Sequence, residues 1–218
     1  MLLFFVALVL GAASPALPAD GAYSYAGSLA GQPSAKTTIT VNHAGDAIRL
    51  TESAAANVGG DSQTAQTVLA LDASLAPTSY TASYTAMGKT LHSTLTFNGT
   101  TAKQSGDAAP SATFTLPAGA AHFVVLDGSM FSGFFALPSQ LRAWGNPAVV
   151  AVAPMFNRSY PIAVDPSVKP RRPAGVPATD EALAFSSPIA FTIWYDPTTF
   201  VVDEMDAPGE EATVIRQH

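Results

Sequence analysis

Cysteine is absent from the chain. That removes any disulfide framework, any thiolate metal site and the lipidated cysteine of a bacterial lipoprotein. Charge is scarce as well: Asp, Glu, Lys and Arg make up 12% of residues, with 16 acidic against 10 basic. A nucleic-acid partner needs a basic stripe to neutralise phosphates, so this balance argues against one. After Leu10 no apolar run approaches the roughly 20 residues that a membrane-spanning helix requires. Tryptophan occurs only at 144 and 194, so no aromatic sugar platform is apparent. There is no H-E-x-x-H, no close histidine pair and no Gly-rich phosphate loop.

Two partial signals for chemistry remain. The stretch Asp127-Gly128-Ser129-Met130-Phe131-Ser132-Gly133 follows a strand-like segment, but its glycines do not flank either serine as a nucleophile elbow demands. A triad would have to combine Ser129 or Ser132 with His122, and no spacing recommends it. Asp196, Asp203, Glu204, Asp206, Glu210 and Glu211 gather near the C-terminus without the D-x-[DN]-x-[DN]-G order of a calcium loop. They read better as a solvated acidic edge that discourages strand aggregation. The expectation is therefore a protein with no catalytic residue, no metal and no cofactor.

What the chain does contain begins with a leader. Residues 1–19, MLLFFVALVLGAASPALPA, carry an apolar run from Leu2 to Leu10 that passes into small residues and prolines. This is the pattern of a secretory signal peptide, with Ala16 or Ala19 as the residue before the cut. A periplasmic or secreted protein is expected, its residues 20–218 forming one domain. At that length a chain buries roughly 70% of its unfolded surface and needs no staples.

The dominant period is two. In 79–87, Tyr80, Ala82, Tyr84 and Ala86 fall on one face and Ser79, Thr81, Ser83 and Thr85 on the other. Next, Leu91, Ser93, Leu95 and Phe97 alternate with Thr90, His92, Thr94 and Thr96. Such alternation of β-branched and aromatic residues marks half-buried strands. Gly88-Lys89 suits a type II′ turn and Asn98-Gly99 a type I′ turn, which makes 77–104 a three-stranded meander. Residues 36–41 and 46–53 flank Ala44-Gly45 as a further hairpin. Strands are also expected at 64–72, 112–116, 122–126, 189–196, 200–205 and 212–216. The spacing predicts a mostly β protein: a curved antiparallel sheet or half-open barrel of about ten strands.

One segment breaks the period. Over 127–144, Phe131, Phe134, Phe135, Leu141 and Trp144 recur at three- and four-residue steps, the spacing of a helix. Asp127 or Ser129 is placed to cap it, and Pro138 should break it, giving a short apolar helix pair on the concave face of the sheet. A further helical turn is expected near Thr179. The stretch 165–188 around it holds five prolines and the run Lys169-Pro170-Arg171-Arg172-Pro173, and reads as an extended surface loop.

The closing stretch FTIWYDPTTFVVDE, 191–204, resembles exported bacterial proteins of unknown function whose final hairpin carries a similar W-Y/L-D turn. The order of parts resembles the periplasmic lipoprotein-carrier type, a half-open antiparallel barrel wrapped round helices. That resemblance implies a lipid or other apolar ligand held between sheet and helix. A helix apolar most of the way round is normally buried, and a cavity beside it would be lined by rings and aliphatic groups. The candidate ligand-binding residues are Phe131, Phe134, Phe135, Leu137 and Leu141, faced by Tyr80, Tyr84 and Trp194. The first rival expectation is an envelope structural or interaction protein with a filled core, and the second a secreted hydrolase with an unrecognised site.

Overall fold

The computed structural model describes residues 17–58, 61–128 and 130–218. Most of the expected leader, and Ser129, lie outside the described residues. The chain opens with a β-meander in which each strand pairs antiparallel with the next. Its members are β1 (Gly21–Leu29), β2 (Gln32–Ala44), β3 (Ala47–Val58), β4 (Asp61–Leu71), β5 (Pro77–Ala86), β6 (Lys89–Asn98), β7 (Thr101–Gly106) and β8 (Ala112–Thr115). Four later strands, β12 (Glu181–Phe185), β13 (Phe191–Tyr195), β14 (Val202–Ala207) and β15 (Ala212–Gln217), join through β15 to β1. The result is one twelve-stranded antiparallel sheet in the order β12-β13-β14-β15-β1-β2-β3-β4-β5-β6-β7-β8.

The meander over 77–104 is where the period placed it, with both turns shifted. Asn98 pairs with Thr101, so the second turn is Gly99-Thr100 rather than the expected type I′ Asn98-Gly99, with positive φ at Gly99 only. Met87 and Gly88 are the central pair between β5 and β6, at φ of 50° and 72°. Two positive φ values make this first turn type I′, whose twist matches the strands it joins. It therefore falls one residue before the expected Gly88-Lys89.

A second layer forms from the middle of the chain. Strand β9 (Phe123–Val125), helix α1 (Ser132–Trp144) and strand β10 (Val149–Ala153) make a β-α-β unit, because β9 and β10 are parallel. Parallel neighbours need a crossover, and α1 supplies it. Strand β11 (Arg158–Ile162) completes a small sheet in the order β11-β10-β9. Every residue of β9 and β10 is buried, which accounts for the unbroken apolar reading of Val149-Val150-Ala151-Val152-Ala153.

Helix α1 touches β3, β4 and β13 of the large sheet. In a flat sheet β13 and β3 would stand five spacings apart, about 24 Å, while a helix with its side chains is only about 10–12 Å across. The sheet therefore curls round α1 as an open, unclosed barrel. No helix among the described residues is long and apolar enough to cross a membrane.

Three expectations are corrected. The sheet has twelve strands, and fifteen are described in all, rather than about ten. The helix pair is a single helix that runs through Pro138. Phe135, Ala136 and Leu137 before the proline and Leu141 after it are all 0% exposed. Burial of both halves against the sheets outweighs the roughly 3 kcal/mol that an interior proline costs. The loop 165–188 and the helical turn near Thr179 are interrupted by β12, whose Leu183 and Phe185 pair with Ile193 and Phe191 of β13. Partner strands override the local capping signal there.

Candidate functional site

The inward face of the sheet can be followed across the strands. One row runs Tyr23, Ile39, Glu52, Thr67, Ala82 and Ser93 from β1 to β6. The next runs Val41, Leu50, Leu69, Tyr80, Leu95 and Gln104 from β2 to β7. Polar groups thus stand in the middle of the core; Ser93 Oγ and Gln104 Oε1 are buried there without a hydrogen-bond partner, whereas Glu52 and Thr67 are paired.

Glu52 finds the start of α1. Its Oε1 accepts the Phe131 N–H at 2.8 Å, and its Oε2 accepts the Ser132 N–H at 2.9 Å and the Thr67 hydroxyl at 3.3 Å. The Thr67 and Ser132 hydroxyls lie 3.1 Å apart. The N-cap residue Phe131 supplies no side-chain cap, and a strand residue far away in sequence takes two of the helix's orphan donors. Glu52 is 0% exposed. Burial pushes its carboxyl above the usual range, and the two N–H bonds pull it part of the way back.

Asp127 lies one turn earlier and serves a different purpose from the expected cap. Its Oδ1 accepts the Met155 N–H at 2.8 Å, and its Oδ2 accepts the hydroxyls of Tyr80, at 2.8 Å, and of Tyr84. Burial again raises the carboxyl, against the pull of these donors. Asp127 so ties β5 to the 3-10 turn Pro154–Phe156 beyond β10. Both carboxylates are closed off from solvent and fully engaged. Their chemistry is that of anchors.

The eight candidate ligand residues divide into groups. Phe131, Phe135, Leu137 and Leu141 are buried in the common core. Phe131 meets Tyr25 edge-on at 4.7 Å, and Phe135 tilts against Tyr23 at 5.3 Å. Phe134 is half-buried, at right angles to Phe191 at 5.4 Å. Tyr80 and Tyr84 face the same interior but spend their hydroxyls on Asp127. Trp194 stands apart. Phe191, Ile193 and Tyr195 belong to the core cluster, so alternation puts Trp194 on the opposite face of β13. There the Arg172 guanidinium covers its ring at 4.6 Å.

Arg172 also donates to the carbonyls of Pro177 and Asp180, so one member of the basic run is committed within the chain. Beside it, Asp180 Oδ2 is enclosed without a partner. Burial and then the neighbouring Asp203 push the Asp180 carboxyl up to about 6. Asp203 itself accepts from Arg216 at 3.1 Å. No group of acidic or histidine side chains among the described residues can hold a metal ion.

Of the residues weighed for a triad, Ser129 lies outside the described residues, and Ser132 and His122 are held apart. His122 stacks on Trp144 at 4.0 Å, at the last residue of α1, whereas Ser132 is the first, about 18 Å away along the helix. The described residues include two surface clefts of note. One of about 380 Å³ is lined by Pro161, Ile162, Val164, Asp165 and Ser186. Another of about 190 Å³ is lined by Asp72, Pro77, Phe97, His122 and Phe123. Neither involves any of the eight candidates.

Sequence reasoning missed Glu52, although a signal existed. Ile48, Leu50 and Glu52 alternate on one face of β3, which sets a carboxylate in an apolar row. Asp127 was read as a cap because the tyrosines that claim it lie more than 40 residues earlier.

No family model matches the chain, and no curated protein does. Two solved structures are similar to it. A DUF1089 family protein from Pseudomonas aeruginosa is 13% identical over 80% of this chain and 90% of that chain, with a TM-score of 0.48. A beta-barrel-like protein of domain of unknown function DUF1849 from Brucella abortus is 8% identical over 93% of this chain and 97% of that chain, with a TM-score of 0.51. The second likeness concerns the fold alone, an open β-barrel-like sheet.

Proposed function

We propose that this chain is an exported, non-catalytic envelope protein that acts as a rigid scaffold and holds a protein partner on its surface. The observation that carries this reading is the filled space between sheet and helix. Phe135, Ala136, Leu137 and Leu141 of α1, with Ile39, Leu50 and Leu95 of the sheet, each have 0% exposure. A side chain without accessible surface borders no void large enough for a water, far less an acyl chain. The Glu52 carboxylate that fastens the start of α1 favours a helix that stays in place over one that swings aside for a ligand. Among the surfaces open to a partner are the outer edge of the terminal strand β8, half-exposed, and the loop carrying the exposed Lys169 and Arg171.

The test is native mass spectrometry of protein recovered from the periplasm, with solvent extraction of anything that accompanies it. A clean apoprotein mass, without uptake of added fatty acid or phospholipid, is expected. A recurrent lipid-sized adduct displaced by detergent would replace the scaffold with a carrier of hydrophobic ligands.

A further inference from the structure

We infer that the leader is removed by hydrolysis of the Ala16–Leu17 peptide bond, so that the mature protein begins at Leu17. The inference rests on the export reading above and goes beyond it by choosing the bond. In sequence terms both Ala16 and Ala19 present a small residue before the cut. They differ two residues further back, where Ala16 is preceded by Ser14 and Ala19 by Leu17. The small-x-small pattern of leader cleavage is met only by Ser14-Pro15-Ala16 of these two.

The folded protein separates them independently. Leu17 is 4% exposed and belongs to the hydrophobic core cluster, and Pro18 beside it is buried. The Ala19 carbonyl accepts the Tyr23 hydroxyl at 2.8 Å. Asp20 Oδ1 accepts the His43 backbone N–H at 2.8 Å and lies 2.6 Å from the His43 imidazole. The segment 17–20 is therefore built into the domain through a core side chain, a carbonyl acceptor and a carboxylate tie to β2. A cut after Ala19 would remove the first two and leave a vacancy in the core where Leu17 sat. A cut after Ala16 keeps all three. The exporting host's leader peptidase supplies the catalyst and water the second reactant. Hydroxide equivalent goes to the Ala16 carbonyl carbon, giving a carboxylate, and the Leu17 nitrogen leaves as an amine that takes up a proton.

The experiment expresses the full chain with its own leader in an exporting bacterial host and measures the intact mass of the periplasmic product. The mass of 17–218 is expected. A mass of 20–218, or one beginning at any other residue, overturns the chosen bond while leaving export intact. An uncleaved chain retained in the cytoplasm sinks the export reading and this inference together. A second measurement addresses the core directly. Leu17→Ala in the same precursor should be cut at the same bond and give a product melting roughly 5–10 °C lower. An unchanged melting temperature would show that Leu17 is no core residue and would remove the structural half of the argument.

Discussion

Glu52 Oε1 accepts the backbone N–H of Phe131 at 2.8 Å, joining the middle of β3 to the residue that opens α1. An amphipathic helix laid on a sheet can slide along its axis with little loss of apolar contact. A carboxylate that takes two N–H groups at the helix's first turn permits one position only, because a displaced helix leaves buried donors and acceptors unpaired. Glu52→Gln keeps the shape and turns one acceptor into a donor that faces an N–H. It should destabilise the fold by about 1–3 kcal/mol in urea unfolding. A change below about 0.5 kcal/mol would mean that the helix is held by packing alone.

The second anchor can be dissected through its donors. Tyr80→Phe and Tyr84→Phe each remove one hydroxyl from Asp127 and should each cost about 1–2 kcal/mol, the more buried Tyr80 costing more. Because both hydroxyls serve one oxygen, the double variant should depart from the sum of the singles. Strict additivity would show that they act independently.

Gly133 permits the close approach of α1 to β9. A Cβ added there would stand 1.7 Å from the Val125 carbonyl oxygen, which is backbone and has no room to yield. Gly133→Ala, although favourable by helix propensity, should cost at least about 3 kcal/mol or abolish soluble expression. A variant as stable as the parent would contradict the packing of α1 on β9.

The pH dependence of stability follows from the raised carboxyls. Asp180 is held up to about 6 by burial and by Asp203, from an ordinary value of 3.8. Between those values the folded protein keeps a proton that the unfolded chain has released, so this group's contribution falls as pH rises from about 3.8 to about 6 and is flat beyond. Glu52 and Asp127, also raised, add slopes of the same sign above their ordinary values. Asp20, Asp165 and Asp196 are lowered and act oppositely, with stability lost as pH falls through their folded values. Unfolding of the parent and of Asp180→Asn across pH 3.5–7 isolates the first effect. The variant should lack part of the decline, and parallel curves would show that Asp180 does not hold its proton in the fold.

Much of the sheet was legible because a strand records its environment locally. The alternation of Tyr80 and Ala82, followed by Ser93 and Leu95, states which side is buried without reference to any distant residue. Leu91, in the same row, stays exposed because no described residue covers that end of the sheet face. The candidate site was less legible. Trp194 looked like a wall of the same cavity as Phe131, yet one step along β13 put it on the far face under Arg172. The apolar helical spacing of 131–144 is the same whether the facing surface is a cavity or a packed sheet.

The sequence by itself determined the antiparallel meander, the apolar segment that interrupts it and the absence of thiol chemistry, since each depends on neighbours in the chain or on composition. The tertiary structure alone decided that α1 runs unbroken through Pro138, that the sheet reaches twelve strands by pairing β15 with β1, and that Glu52 and Asp127 are anchors. Those outcomes rest on contacts between residues distant in the chain. Burial against both sheets outweighs a proline's local cost, and a buried carboxylate is stable only where donors from other elements converge on it.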